Sequence, residues 1–194
     1  MESDFSEGGD VNFIFMFLAI LSLPFVALAD RYETTQLYKK GLWLVELTYD
    51  KDDDEFWCAA RTQNSQGQDL SITAFQNSQL YLFVFDGSWN ISEKSVNFLI
   101  DIDYSRWNIE GNAEGISVSF RVDDKESGLN FLGEIAKGNA VALLNSNERR
   151  LATFSLSGSS ASLYRLTECW KRIIKSDPFA ESQNGQNNKS DPFQ

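Results

Sequence analysis

A serine-rich segment offers the first candidate for chemistry. Residues 154–170 read FSLSGSSASLYRLTECW, and Ser160 stands where a strand pattern gives way to a helix pattern. A hydrolase nucleophile occupies such a position within G-x-S-x-G. Here the second glycine is missing, and the chain has no histidine to deprotonate a serine. We therefore interpret Ser159 and Ser160 as helix N-caps, which accept hydrogen bonds from free backbone amides.

An acidic run offers a second candidate, a calcium loop. Asp50, Asp52 and Asp54 have the alternate spacing of an EF-hand. The sixth position is Glu55 where glycine is required, and the twelfth is Arg61 where glutamate is required. Strand patterns also flank the run, so we predict a solvated acidic turn and no metal site.

Two further carboxylates could pair as acid and base. Asp101 and Asp103 fall on one face of a predicted strand. Acid–base work requires that two carboxyl groups have different environments, and nothing in the pattern indicates this. Without histidine the chain also lacks the commonest general base and zinc ligand. We predict that it is not an enzyme and needs no cofactor, and we rank a hydrolase using Asp101, Asp103 or Glu110 last.

Three tryptophans could serve binding. Trp57, Trp89 and Trp107 could together form a platform for a carbohydrate or a peptide. In β-rich domains such residues more often belong to the core, and that is the interpretation we favour. The formal net charge of −11, from 17 basic and 28 acidic residues, argues against a nucleic-acid partner.

The N-terminal region predicts export. Residues 12–29 read NFIFMFLAILSLPFVALA, an uncharged run broken by Pro24 and ending in Ala27-Leu28-Ala29. The small-x-small ending is typical of a signal-peptidase site, so we expect residues 1–29 to be a signal peptide cleaved after Ala29. Cleavage would change the net charge from −11 to −7. The alternative is an uncleaved membrane anchor over residues 12–29.

Export bears on the two cysteines. Cys58 and Cys169 are the only cysteines in the chain. An even pair in an oxidising compartment predicts a disulfide bond, whereas a cytosolic chain would keep two buried free thiols.

Alternating apolar residues predict the fold. Period-two patterns such as WLVELTY (43–49) and SVSFRV (117–122) are typical of half-buried antiparallel strands. Helical spacing appears over about 127–138 and 159–174. We therefore predict an α+β fold, mainly an antiparallel β sheet as a sandwich or partly closed barrel, with two helices. One domain spans 30–175, and the polar residues 176–194 form a disordered tail.

The first predicted helix has its own signals. Leu129, Leu132 and Ile135 line one face at helical spacing. Ser127 can cap its start, and Gly138 stands where a left-handed residue would end the helix. In the second helix, the spacing of Leu163 and Leu166 predicts that Cys169 lies against the sheet near Cys58.

Several of these stretches together indicate a resemblance. FWCAARTQ (56–63), the turn DGSW (86–89) and GSSASLYRLTECW (158–170) follow the apolar leader. With them the chain resembles a set of small uncharacterised exported domains of alphaproteobacteria, which have a β-rich body and a C-terminal FSL-G-S-A-L-C segment. More distantly it is similar to invasion-associated locus B proteins, which are periplasmic and β-rich. The resemblance covers about residues 30–175 and implies an envelope location and a disulfide, but no reaction. The acidic first ten residues and the KSDPF repeat at 175–179 and 189–193 depart from it.

These observations predict a periplasmic or secreted, non-catalytic binding or envelope-accessory domain. Its partner would be a protein or a cell-wall component of the envelope. The alternative function is a periplasmic inhibitor of a secreted hydrolase such as lysozyme, because an acidic domain attracts basic targets.

Overall fold

The computed structural model describes residues 30–122 and 126–174. The predicted signal peptide, the predicted tail and the KSDPF repeat lie outside these residues. The described part has ten strands and two helices, which confirms the α+β fold class. The elements are β1 (Tyr32–Lys40), β2 (Trp43–Asp50), β3 (Glu55–Gln63), β4 (Asp69–Phe75), β5 (Leu80–Phe85), β6 (Ile91–Ile102), β7 (Ser105–Gly115), β8 (Ser117–Val122), α1 (Glu126–Lys137), β9 (Ala140–Asn145), β10 (Arg150–Ser155) and α2 (Ser159–Ile173).

All ten strands form one antiparallel sheet in the order β1-β2-β3-β4-β5-β8-β7-β6-β9-β10. Strands β1 to β5 form a meander of consecutive neighbours. The order then jumps, because β8 pairs with β5 and β6 pairs with β9. These two pairings join segments that are distant in the sequence, and they make β5 a central strand, as its continuous apolar run predicts.

The sheet is open but curled, so that its last strand returns toward β2 and β3. The free edge of β10 accepts side-chain hydrogen bonds there instead of pairing with another strand. The three bonds, each 3.1 Å long, run from Trp43 Nε1 to the Ser155 carbonyl, from Asn64 Nδ2 to the Thr153 carbonyl and from Gln68 Nε2 to the Leu151 carbonyl. An unpaired strand edge can pair with another chain and cause aggregation. Here side chains hydrogen bond to the exposed carbonyl groups of that edge, and the sheet does not close into a barrel.

The inner face of the curled sheet holds the core, and α2 covers part of it. Trp43 and Val45 of β2 point inward and are fully buried, as the alternation in β2 predicts. A disulfide joins Cys58 of β3 to Cys169 of α2, with a Cα–Cα distance of 6.1 Å. This confirms the predicted pairing, and a stable disulfide indicates a location outside the cytoplasm.

Helix α1 packs with a face that only partly matches the predicted one, because Ile135 is buried and Leu132 contacts the core but Leu129 does not. Phe131 is buried against Trp107 of β7 and Phe120 of β8, with ring centroids 5.3 and 5.4 Å away in edge-to-face geometry. The buried face therefore centres on Phe131 and Ile135, while Leu129 remains 63% exposed. Placing Leu129 on the inward face was wrong, because the larger phenylalanine determines how the helix sits on the aromatic rings below it.

Gly138 is needed for close packing instead of a left-handed turn. It follows the last residue of α1, but its φ is not positive. A Cβ at this position would lie 2.9 Å from the Leu156 side chain and 3.0 Å from that of Ile102. A residue with a side chain at this position would have to displace these two neighbours, so glycine is required here for packing.

The start of α2 differs from the predicted serine caps. The N-cap is Gly158, with φ of 103° and no side-chain cap bond. Ser159 is fully buried, and its hydroxyl donates to the Ile135 carbonyl of α1 at 2.7 Å. Ser160 is exposed. Ser159 therefore ties the two helices together, and the capping interpretation was wrong for both serines.

The disulfide closes a loop across 111 residues. Removing it in the Cys58→Ser variant should lower the free energy of unfolding by about 4–5 kcal/mol, because the unfolded chain regains that loop's entropy. Urea denaturation of wild type and variant, each with and without reductant, measures the difference. The Cys58→Ser/Cys169→Ser double variant is the control and should not respond to reductant. Equal stability of oxidised and reduced wild type would contradict the prediction.

Alanine substitutions of the two serines at the start of α2 should lower the free energy of unfolding by different amounts. Ser159→Ala leaves a buried carbonyl without its donor and should cost about 1–3 kcal/mol. Ser160→Ala changes an exposed residue and should stay within about 0.5 kcal/mol. Leu166→Ala, which opens a cavity under α2, should cost about 2–5 kcal/mol. Thermal and urea denaturation of the three variants measure these losses of stability. An equal loss in Ser160→Ala and Ser159→Ala would show that this description of the helix start is incorrect.

Candidate functional site

The candidate site lies on the outer face of the sheet, opposite the disulfide. In β3, Cys58 and Ala60 point inward, so Trp57, Ala59 and Arg61 point outward. Neither described helix covers the outer face of β1 to β5, since α2 is bonded to the inner face through Cys169. A groove of about 610 Å³ runs over this surface, and we call it the outer groove.

A continuous row of aromatic rings forms one side of the outer groove. Neighbouring ring centroids along the row are 5.6–6.2 Å apart. The aromatic row consists of Tyr32, Trp57, Phe75, Tyr81, Phe83 and Phe85, and all of these except Tyr81 line the groove. Apart from the exposed Tyr32, its members are half-buried. Strand β5 contributes three of the rings, because its outward positions are aromatic while its inward positions are aliphatic.

Small side chains form the floor of the groove. Ala59, Ser71 and Thr73 face outward on β3 and β4, yet each is only 6–8% exposed beneath the taller rings. The Ser71 and Thr73 hydroxyls lie 2.9 Å apart and hydrogen bond to each other. On the opposite side, Thr34 and Thr48 form a second hydroxyl pair at 3.0 Å. Each pair uses one of its two protons, so the other proton and several lone pairs remain for a ligand.

Three charged side chains line the same groove. Arg61 Nη1 lies 3.4 Å from the Glu46 carboxylate, so these two charges largely offset each other. Asp69 accepts a hydrogen bond from Gln63 at 3.3 Å. The groove thus combines an aromatic wall, a hydroxyl-lined floor and little net charge. This combination suits binding by stacking and hydrogen bonding, and it places no nucleophile beside a base.

The three tryptophans proposed as a platform lie in different places. Trp57 is in the aromatic row. Trp107 lies on the core side of β7, where its indole nitrogen donates to Glu134 of α1 at 2.8 Å. Trp89 follows β5 and packs partly buried against the core. Of the three, only Trp57 lines the outer groove.

The carboxylates considered for catalysis are engaged separately. The hydrogen-bonded Arg106 guanidinium lowers the pKa of Asp101 below its usual value. Asp103 accepts hydrogen bonds from the backbone amides of Asn139 and Ala140, which lower its pKa. Both are therefore ionised at neutral pH and have no proton to donate. Glu110 is exposed on β7.

The acidic turn between β2 and β3 holds a guanidinium. Arg31 Nη2 contacts Asp50 at 2.6 Å and also pairs with Asp53, while its Nε lies 3.5 Å from Asp52. The hydrogen bond from Arg31 lowers the pKa of Asp50. Within 30–122 and 126–174, no group of three or more acidic or cysteine side chains is arranged to hold a metal ion.

A cavity of about 660 Å³ lies beside α1, between Tyr104, Trp107 and Lys137. It is slightly larger than the outer groove. Three of its polar side chains are already engaged, however, because Trp107 donates to Glu134 and Asp103 accepts from the turn at Asn139. We therefore consider the outer groove the better candidate, since its hydroxyls retain bonding capacity.

The sequence patterns do not predict the aromatic row, because the order of the strands in the sheet determines which rings become neighbours. The continuous apolar run of β5 predicts burial on both faces, but Phe83 and Phe85 are only half-buried on the outer one. Outward aromatics at alternate positions of three strands are the available signal. It becomes visible only once the register pairs Trp57 with Phe75 and Thr73 with Tyr81.

Comparison of the chain with protein-family models, curated proteins and solved structures finds no match. Among the helices in the described part of the chain, none is long and apolar enough to span a membrane. The function must therefore be argued from the geometry.

The lowered pKa of Asp103 predicts acid sensitivity. A carboxylate whose pKa is lower in the folded state stabilises the fold above its unfolded pKa of about 4, and this contribution is lost as pH falls through the folded pKa. Asp103→Asn should be less stable than wild type at neutral pH and should lose less stability on acidification. Unfolding free energies between about pH 7 and pH 2 test this. Glu93→Gln, at an exposed position, is the control, and an Asp103→Asn profile parallel to wild type would refute it.

Proposed function

We propose that this chain is a non-catalytic binding domain that acts outside the cytoplasm and holds its ligand in the outer groove. The observation that carries the proposal is the aromatic row above a floor of small, hydroxyl-bearing side chains. Contiguous apolar surface on an uncovered sheet face marks an interaction site in soluble proteins. Aromatic walls with a few placed polar groups are the usual make-up of ligand pockets.

The chemistry of the chain supports binding over catalysis. No histidine is present in the sequence. Ser159 is buried and its proton is directed to the Ile135 carbonyl. Asp101 and Asp103 have lowered pKa values and fixed partners. Ser159 thus has no free proton for a base to accept, and Asp101 and Asp103 are ionised and have no proton to donate.

The location forms part of the proposal. The buried Cys58–Cys169 disulfide indicates an oxidising compartment. We propose that this compartment is the periplasm or the extracellular space, reached by cleavage after Ala29. The resemblance to exported alphaproteobacterial domains agrees with this proposal.

Blocking the groove tests the function. In Ser71→Tyr a bulky ring rises from the floor beside Phe83, on a strand that accommodates tyrosine well. Wild-type protein immobilised through its C-terminus should retain a component of the host's envelope extract, and Ser71→Tyr should not. Tyr164→Ala is the control, since it removes a 63% exposed ring from α2 and should bind as wild type.

The outcome separates the two functions considered. Equal retention by wild type and Ser71→Tyr, at matched thermal stability, would exclude the outer groove as the binding site. If the retained component were then a basic enzyme released by salt, the inhibitor alternative would be favoured instead.

A further inference from the structure

We propose that the ligand of the outer groove is an uncharged, extended oligosaccharide. This inference rests on the proposed function, because it names the class of molecule that the same groove would bind. Charge, hydrogen-bonding capacity and shape each point to this class.

The charges of the groove favour a neutral ligand. Arg61 and Glu46 form an ion pair with an N–O distance of 3.4 Å, which leaves Asp69 as the remaining charge. A polyanion would meet no cationic surface here, and an anionic chain is also repelled by the net charge, which is −11 for the full chain and −7 after the proposed cleavage. A strongly cationic ligand would find a single carboxylate that is not ion-paired, so the groove could form at most one charge pair with it.

The hydrogen-bonding groups of the groove favour a polyhydroxylated ligand. Strands β3 and β4 are paired on both sides, so their backbone groups are used within the sheet. A peptide therefore cannot add a strand to β3 or β4 at the floor of the groove, the mode in which main-chain bonds supply affinity. What remains are side-chain groups, chiefly the hydroxyls of Thr34, Ser71 and Thr73 with the carboxylate of Asp69. They can donate to and accept from sugar hydroxyls.

The shape and the apolar surface fit a chain of sugar rings. From Trp57 to Arg61 the floor extends for four residue steps of β3, or about 13 Å. The groove volume of about 610 Å³ accommodates a short oligosaccharide. Along its side, the rings of Phe75, Phe83 and Phe85 provide apolar contacts for the C–H faces of pyranose rings. An oligosaccharide therefore matches the groove in two ways. It presents both apolar C–H faces and hydroxyl groups, and a short chain of sugar rings fits the length and volume of the groove.

Calorimetric titration with matched saccharides tests the inference. The probes are neutral cello-, malto- and chito-oligosaccharides, the cationic chitosan oligosaccharides, anionic oligogalacturonates and a tetraproline peptide. At least one neutral series should bind, with affinity that rises with chain length until the groove is filled. That affinity should stay within about twofold between 50 and 500 mM NaCl, because no charge pairs form.

Variants of the groove locate the binding. Phe83→Ala should weaken the neutral saccharide about tenfold, and Ser71→Tyr should abolish its binding. Tyr164→Ala should leave it unchanged. Thermal unfolding of each variant verifies that the fold is retained, and Phe83→Leu, which keeps an apolar side chain, provides a second test at the same position.

The outcomes distinguish this inference from the function on which it rests. If only a charged saccharide or the peptide binds, and Ser71→Tyr abolishes that binding, the neutral-saccharide inference is wrong and the groove remains the binding site. If a neutral saccharide binds equally to wild type and Ser71→Tyr, both the inference and the groove are wrong. Failure of every probe to bind wild type would overturn the inference.

Discussion

The structure depends on the attachment of α2 to the inner face of β3 through the Cys58–Cys169 disulfide. A ten-stranded open sheet has two faces and two edges, and each must be covered, paired or exposed for a reason. The disulfide joins α2 to the inner face, where Leu166 of the helix is buried with the apolar core. Ser159 then ties α2 to α1 through the Ile135 carbonyl, so both helices belong to one inner layer. The edge at β10 is satisfied by Trp43, Asn64 and Gln68 side chains.

The same constraint keeps the two described helices off the outer face of β1 to β5, where we propose that the ligand binds. Cys58 and its two chain neighbours, Trp57 and Ala59, alternate across β3, so the strand held by the disulfide also carries a wall and the floor of the outer groove. A groove built on paired central strands is more rigid than one built on loops, and little conformational entropy is lost when a ligand binds. The disulfide on the inner face of β3 therefore helps to hold the strand that carries the outer groove on its opposite face.

Local patterns predicted the elements, whereas contacts between distant segments decided the site. The two-residue alternation of β2 and the helical spacing around Leu166 depend on near neighbours, and both predictions were confirmed. The role of Ser159 depends on where α1 packs, and the outward rings of β5 depend on its pairing with β4 and β8. These contacts cannot be derived from one sequence, since the pairing of β5 with β8 passes over two intervening strands, β6 and β7. The three tryptophans considered as a platform illustrate the same point, because the sequence does not show that only Trp57 of Trp57, Trp89 and Trp107 lies in the groove.

The most direct test of the central claim is a ¹H–¹⁵N NMR titration of the oxidised protein with a neutral oligosaccharide, followed at the tryptophan indole N–H signals. The chain has five tryptophans, and of these only Trp57 lines the outer groove. If the ligand occupies the outer groove, the signals of the Trp57 indole and of the Ser71 and Thr73 amides should shift together, while those of the Trp107 and Trp170 indoles should stay in place. Shifts at Trp107, beside α1, with an unchanged Trp57 would contradict this prediction.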